Sequence, residues 1–444
     1  MWKEALFGSG QDFTEGNLNR AIFLLSIPMI LEMVMESLFG IVDVFFVSRL
    51  GADAIATVGF TESLLTIIFG VAIGLSMATT AFVARRTGEK DPEGASESAV
   101  QAIAVGLLLS IVFGIIGYFT APALLNVMGA SPGILAQVRY TRLILGGSGV
   151  IFMLFLINAV FRGAGDPSLA MRTLWLANGI NIVLDPCLIN GWGPFPRLGV
   201  FGAAVATTTG RGIGVLFQVW QLSRRGNRIS ITRSQLRLRP ALMMRLLGVS
   251  FNGIVQFLVA TASWLGLMRI ISTFGSSAVA GYTIAVRFIV FTILPAWGFS
   301  NAAATLVGQS LGARKPQRAE TAVYRTGWYN MAYMVFIAIV FMFFPAPFVA
   351  FFTHDPDVSR VAIQCLQIFG ISYISYSWGM VLMQALNGAG DTLTPTLINL
   401  FAFWIFQIPL AYLLGIHYSF GIRGAFSAVP IADLVLTVTA LVIF

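Results

Sequence analysis

The chain has 444 residues, 57% of them hydrophobic and only 10% charged, with a mean hydropathy of +0.84. A soluble domain is about 25% charged, so this composition excludes a water-facing globular surface and reads as an integral membrane protein. The net charge of +8 comes mainly from Arg, gathered in short connections between apolar runs, which is a topology pattern beside anionic lipid and not a nucleic-acid surface.

Residues 1–20 are polar and mixed in charge, and no cleavable signal is expected there. Crossing a bilayer core takes about 20 apolar residues. Twelve such runs are expected, at 22–48, 58–84, 97–120, 136–160, 168–190, 200–222, 243–271, 279–306, 322–346, 360–385, 393–415 and 422–444. They are too long and continuous for barrel strands. Arginines and lysines concentrate after span 2 (Arg85, Arg86, Lys90), after span 6 (Arg224, Arg225, Arg228, Arg233, Arg237, Arg239, Arg245) and after span 8 (Arg314, Lys315, Arg318). The opposite side has Arg49, Arg197 and Arg360. By the positive-inside rule both termini are expected in the cytoplasm.

Cys187 and Cys365 fall inside apolar runs, so no disulfide is expected. His354 and His417 form no metal-ligand motif. No phosphate-binding G-x-x-x-x-G-K-[ST] loop occurs, which excludes a pump with its own nucleotide domain. No nucleophile–base pair or cofactor signature suggests an enzyme.

An internal repeat sets the architecture. Leu50-Gly51-Ala52-Asp53-Ala54-Ile55-Ala56 matches Phe274-Gly275-Ser276-Ser277-Ala278-Val279-Ala280, and Gly88 and Pro92 match Gly312 and Pro316, all at an offset of 224. Gly163-Ala164-Gly165-Asp166 matches Gly388-Ala389-Gly390-Asp391 at 225, and Gly199 and Gly202 match Gly421 and Gly424 at 222. The expected fold is all-α, with residues 1–226 and 227–444 as two six-span lobes joined by the Arg-rich linker 224–245. An even number of spans gives both halves the same orientation, related by a pseudo-twofold along the membrane normal with a cavity between them.

Ionisable residues inside spans are functional candidates because each is expensive to insert, at about 2.5–3.5 kcal/mol near a helix centre. Span 1 holds Glu32, Glu36 and Asp43, which share one helix face and spread over about 16 Å of its axis. They form a ladder, and at least one is expected to carry a proton part of the time. Span 5 adds Asn178, Asn181 and Asp185 along one side, followed by Pro186, which leaves the carbonyl of Ile182 without its helical donor. A carboxylate, an amide oxygen and a freed carbonyl suit a hard cation, with Thr207, Thr208 and Thr209 of span 6 nearby in sequence. At the repeat offset Glu32, Glu36 and Asp43 become Gln256, Ala260 and Leu267, and Asn181 and Asp185 fall near Trp404 and Ile408. The polar machinery is therefore expected in the first half. A bland alternative has Asp43 or Asp185 in a structural ion pair with Arg. Arg287 and the repeat-related pair Arg211 and Asp433 read as buried structural charges, the last two pairing near the pseudo-axis.

The order Pro28…Asp43-x-x-x-Val47-x-Arg49-Leu50-Gly51, the Gly88 and Gly312 loops, Gly163-Ala164-Gly165-Asp166 and Asn181-Ile182-Val183-Leu184-Asp185-Pro186 resembles the multidrug and toxic compound extrusion (MATE) family over essentially the whole chain. The confinement of acids to the first half resembles its prokaryotic DNA-damage-inducible (DinF-like) subfamily. The resemblance implies a V-shaped twelve-helix fold and cation-for-drug antiport by alternating access. It carries the protonation and cation site, with Na⁺ as one candidate ion, onto Asp43, Asn181, Asp185 and Thr207, and a helix-bending role onto Pro28. Relatives have uncharged residues where this chain has Glu32 and Glu36, so these acids are expected to widen cation preference or alter coupling. Ala260 replaces the span-7 acid of the NorM-like branch.

The expected function is secondary active multidrug efflux from the cell (inner) membrane. H⁺ or Na⁺ would be exchanged for amphipathic, cationic organic drugs or toxic metabolites by a lipid-embedded monomer without a bound cofactor. The alternative is a lipid-linked precursor flippase of the same superfamily, whose cavity should be rich in Arg for anionic headgroups.

Overall fold

The computed structural model describes every residue except Arg225, Arg233 and Ser234, so the two linker arginines at 225 and 233 lie outside the described residues. Among those described, the architecture is helical without an extended strand. Eleven helices are long and apolar enough to cross a membrane. These are span 1 (Leu18–Ser48), span 2 (Ala52–Gly88), span 3 (Pro92–Val127), span 4 (Val138–Gly163), span 6 (Val200–Ser223), span 7 (Pro240–Phe274), span 8 (Ser276–Gly312), span 9 (Pro316–Phe343), span 10 (Pro356–Ala389), span 11 (Leu393–His417) and span 12 (Gly421–Ile443). Span 5 (Pro167–Asn190) is a 24-residue helix of the same bundle. Its Arg172, three asparagines and Asp185 lower its hydropathy, because it carries part of the polar site.

Helix starts follow local chemistry. The Asn17 side chain accepts from the N–H groups of Asn19 and Arg20, and Asp91 accepts from that of Gly94, with Pro92 as the first helical residue. The repeat extends to the backbone. Gly51 and Gly275 both have φ 103°, and Lys90 and Arg314 both have φ 57°, a left-handed geometry that non-glycine residues rarely adopt. Span 11 breaks the likeness to span 5, winding as a π-helix over Leu400–Gln407 and again over Leu413–His417.

Two pseudo-symmetric six-helix lobes meet in a V. One core gathers around Phe152 and Leu75 of the first lobe and takes in Leu246 of span 7, and another lies around Phe369 and Phe426 in the second lobe. On the linker side the lobes interlock through glycines. Gly74 of span 2 lies against Ser250 and Ile254 of span 7, and Gly298 of span 8 against Met29 and Ile30 of span 1. Gly88 lies against the Gln309 carbonyl, and Gly312 against that of Arg85. A Cβ at any of these positions would force the backbones apart, so glycine is what permits the approach.

The segment 8–16 runs across this linker-side face and touches both lobes. Arg228 donates to the carbonyls of Ser9 and Gln11, Lys315 to that of Thr14, and Arg318 to those of Phe13, Glu15 and Gly16. Lys90 lies 3.5 Å from Asp12, and the Phe13 ring is buried beneath the Arg228 guanidinium.

Candidate coupling site and central cavity

Span 1 packs between span 5 of its own lobe and span 8 of the other. Its three acids meet three different partner sets. Glu32 Oε1 accepts from Arg162 Nη1 at 2.7 Å and Asn158 Nδ2 at 3.1 Å, and Gln218 Nε2 donates to Asn158 Oδ1 at 2.7 Å. One turn on, Glu36 accepts from Asn178 Nδ2 at 3.0 Å and Arg211 Nη2 at 3.3 Å. Furthest from the linker, Asp43 lies within electrostatic range of Asp185, Glu62 and Arg211.

The third set differs from the other two in being unpaired. Asp185 is fully buried and Asn181 nearly so, yet both Asp185 carboxylate oxygens, Asn181 Oδ1 and Asp43 Oδ1 have no hydrogen-bond partner. Asn181 Nδ2 donates to Thr207 Oγ1 at 3.0 Å, which selects Thr207 from the three consecutive threonines. Span 6 reaches span 5 this closely because Gly202, Gly210 and Gly214 face the Leu188 carbonyl, the Ala177 carbonyl and the Ala177 methyl. Four buried oxygens lacking hydrogen-bond donors, beside a threonine hydroxyl, have the chemistry to take up a proton or a hard cation. No cluster of three or more His, Cys, Asp or Glu of metal-binding type occurs among the described residues.

Some expectations change. Arg211 does not pair with Asp433. It bonds Glu36 and lies over Phe39 and Phe69 in the first lobe, whereas Asp433 lines a small second-lobe pocket with Ser372 and Tyr376. Repeat-related positions can pair only where the lobes touch, and at this depth they have diverged. Arg287 is exposed, not buried. The bland ion pairs fall on Glu32 and Glu36, while neither Asp43 nor Asp185 has an Arg within bridging distance among the described residues. Pro28 lies inside one continuous helix, level with the place where Gly298 crosses. Cys187 and Cys365 are free thiols.

Sequence reasoning missed Arg162, Asn158, Gln218, Glu62 and Tyr140. Arg162 immediately precedes the Gly163-Ala164-Gly165-Asp166 turn and looks like a loop charge. Tyr140 is buried within electrostatic range of Asp43, Asp185 and Arg211, and nothing in its local sequence marks it.

Between the lobes, beside the glycine seam, lies a cavity of about 450 Å³. Its apolar wall includes Met33, Phe69, Met77, Phe155 and Trp297, and its ionisable lining residues are Glu32, Glu36 and Arg162. Asp43 and Asp185 are not part of this lining.

The sequence model of the MatE family matches residues 28–187 and again residues 253–413. The chain belongs to the MatE family. The double match follows the two halves of the MATE fold. Among relatives, "Probable multidrug resistance protein NorM" of Thermotoga maritima is 27% identical over 434 residues, covering 96% of this chain and 92% of that protein. A "FAD transporter" of Shewanella oneidensis is 26% identical, covering 94% and 92%. A solved structure described as the outward-facing conformation of a multidrug resistance MATE family transporter superposes with a TM-score of 0.91 at 27% identity, covering 97% and 96%. A MOP superfamily transporter from Pyrococcus furiosus, described as having a binding pocket of reverse polarity that suggests a different function, gives the same TM-score and identity, covering 97% and 96%. The chain is a multi-pass membrane transporter and not an enzyme.

Proposed function

We propose that this MATE protein exports amphipathic organic cations in exchange for H⁺ or Na⁺, by alternating access of lobes 1–226 and 227–444 about the glycine seam. The observation that carries the reading is the separation of two sites along one helix. Span 1 presents Glu32 and Glu36 to a largely apolar inter-lobe cavity, and about 10 Å beyond Glu36 it presents Asp43 beside the unpartnered Asp185 and Asn181. A proton or Na⁺ taken up by Asp43 and Asp185 removes one of two neighbouring negative charges and so their repulsion, changes how span 1 packs on spans 5 and 6, and so alters the cavity wall. Pro28 supplies the compliance, since its missing N–H frees the Leu24 carbonyl. The multidrug relatives support an organic substrate. Both lining acids are ion-paired, but Glu32 keeps one oxygen without a donor, which favours a ligand that carries positive N–H groups.

The Arg-rich side, glycine seam included, is assigned to the cytoplasm of the cell (inner) membrane, with both termini inside and the protein acting as a monomer. In that orientation the structure is closed inward. A second reading, export of an anionic or lipid-linked substrate, draws on the "FAD transporter" relative, but the Arg162 guanidinium that would bind an anion is already neutralised by Glu32. The deciding experiment is uptake of pentamidine, an aromatic diamidine that stays protonated at neutral pH, into inside-out proteoliposomes under separately imposed pH and Na⁺ gradients. Uptake driven by one of the gradients is expected. Gradient-independent movement, or transport of FAD or a lipid-linked anion in its place, would overturn the reading.

A further inference from the structure

Two buried acceptor atoms, one from each lobe, belong to residues lining the central cavity and have nothing to accept from. The first is Glu32 Oε2. The other oxygen of that carboxylate is held by Arg162 Nη1 and Asn158 Nδ2, and Asn158 is itself held by Gln218. The carboxylate is thus fixed in orientation with one oxygen unused. The second is Asn387 Oδ1. Its own Nδ2 is committed to Gln384 Oε1 at 2.8 Å, while Gln384 Nε2 donates to Asn301 Oδ1 at 3.0 Å. Glu32 and Asn387 are each only 2% exposed, and both line the cavity.

Asn387 occupies the repeat position of Arg162, at an offset of 225. The two lobes therefore place different chemistry at one pseudo-symmetric spot. In the first lobe an arginine donor holds the acid, and in the second an amide network leaves an oxygen unused. Buried acceptors ordinarily find donors, and these two have none.

We propose that the ligand of the cavity supplies the missing donors, and that Glu32 and Asn387 select cations whose charged nitrogen carries N–H groups over fully alkylated ones. A protonated amine or amidine brings N–H donors of the kind that the fixed Glu32 oxygen and Asn387 lack. Its aromatic body then lies against Phe69, Phe155 and Trp297, where cation and ring contacts are also favourable. A quaternary ammonium or phosphonium has the same charge but leaves both acceptors unmade, and an unmade hydrogen bond to a buried charged acceptor costs a factor of about ten or more in affinity. This selection rests on the export reading and names its substrate class.

The test is fluorescence-detected binding of dansylcadaverine, a primary ammonium, and of its trimethylammonium analogue to purified full-length protein. The native protein is expected to prefer the primary ammonium by at least about tenfold. Glu32→Gln, which keeps an acceptor for Arg162, should weaken both ligands and shrink the preference to about threefold or less. Asn387→Leu, in the other lobe, should shrink the preference without the general weakening, so a folding defect in one variant leaves the other decisive. Equal affinities in the native protein, or an undiminished preference in both folded variants, would overturn the selection while leaving drug export intact. Failure of both ligands to bind the native protein would overturn the selection and the cationic-substrate reading together.

Discussion

Gly88 of span 2 lies directly against the main-chain carbonyl of Gln309 in span 8, and one repeat later Gly312 of span 8 lies against the carbonyl of Arg85 in span 2. Each partner of the first contact is the repeat mate of a partner in the second, so the seam between lobes is twofold down to single glycines. A methyl group at either glycine cannot be accommodated without separating the backbones.

Gly88→Ala and Gly312→Ala should therefore each shift the population toward lobes parted on the linker side. Ser310 is fully buried next to the seam. With Cys187 and Cys365 replaced, a cysteine at 310 should resist a small thiol reagent in the parent protein and label several-fold faster in either glycine variant. Unchanged labelling would mean that the seam is not what opens.

The unpaired acids of the first lobe and the isolated acid of the second predict unequal losses. Asp43→Asn and Asp185→Asn should each cut coupled transport at least about tenfold, with normal elution of folded protein. Asp433→Asn, in the separate second-lobe pocket, should retain most activity. The double variant Asp43→Asn, Asp185→Asn should be little worse than Asp43→Asn alone, because groups sharing one proton or cation act as a unit. Additive losses would mean that the two acids do separate jobs.

The Glu32–Arg162 pair is a buried ion pair with a hydrogen-bonded surround. Removing one partner should destabilise by about 3–5 kcal/mol, whereas replacing both with apolar groups of similar volume is far milder. Arg162→Met should lower the thermal midpoint in detergent markedly, and Glu32→Leu, Arg162→Met should recover at least half of that loss. A double variant as unstable as the single one would show that Arg162 acts through contacts other than Glu32.

The segment 8–16 is clamped by Arg228 of the linker and by Lys315 and Arg318 of the second lobe, so it should hold the linker-side face closed. Deleting residues 2–16 should raise labelling of the cysteine at 310, and Arg318→Gln should do so more weakly. Asp12 belongs to this clamp. Burial alone would raise its carboxyl, but hydrogen bonds from Thr14 and then Lys90 outweigh that and hold it below the ordinary value of 3.8. A depressed folded-state pKa gives a contribution present above the unfolded value and lost as pH falls through the folded one. Labelling should therefore be flat from about pH 5 to 8 on this account, and the Asp12 contribution should fade only below about pH 4. Labelling that leaves its baseline near pH 6 would exclude Asp12 as the titrating group.

The spans, the repeat, the basic linker and the three-acid face of span 1 were legible in the chain, because hydropathy, helical phase and loop charge are local properties. Span 5 shows how far that reaches. Its Asn178, Asn181 and Asp185 could be placed on one side by spacing alone, and Thr207 was singled out by resemblance, but the bond from Asn181 to Thr207 exists only because three glycines of span 6 admit close packing. Partner choice was beyond local reading altogether. Arg211 and Asp433 share a repeat position, and the sequence says nothing of how far apart the lobes stand there. Arg162 ends a helix beside a glycine turn, and only the packing of span 4 on span 1 brings its guanidinium to Glu32. Which acids are neutralised and which are left free was decided in three dimensions, since an ion pair in a membrane protein is set by which helix faces meet and not by the order of residues along any one of them.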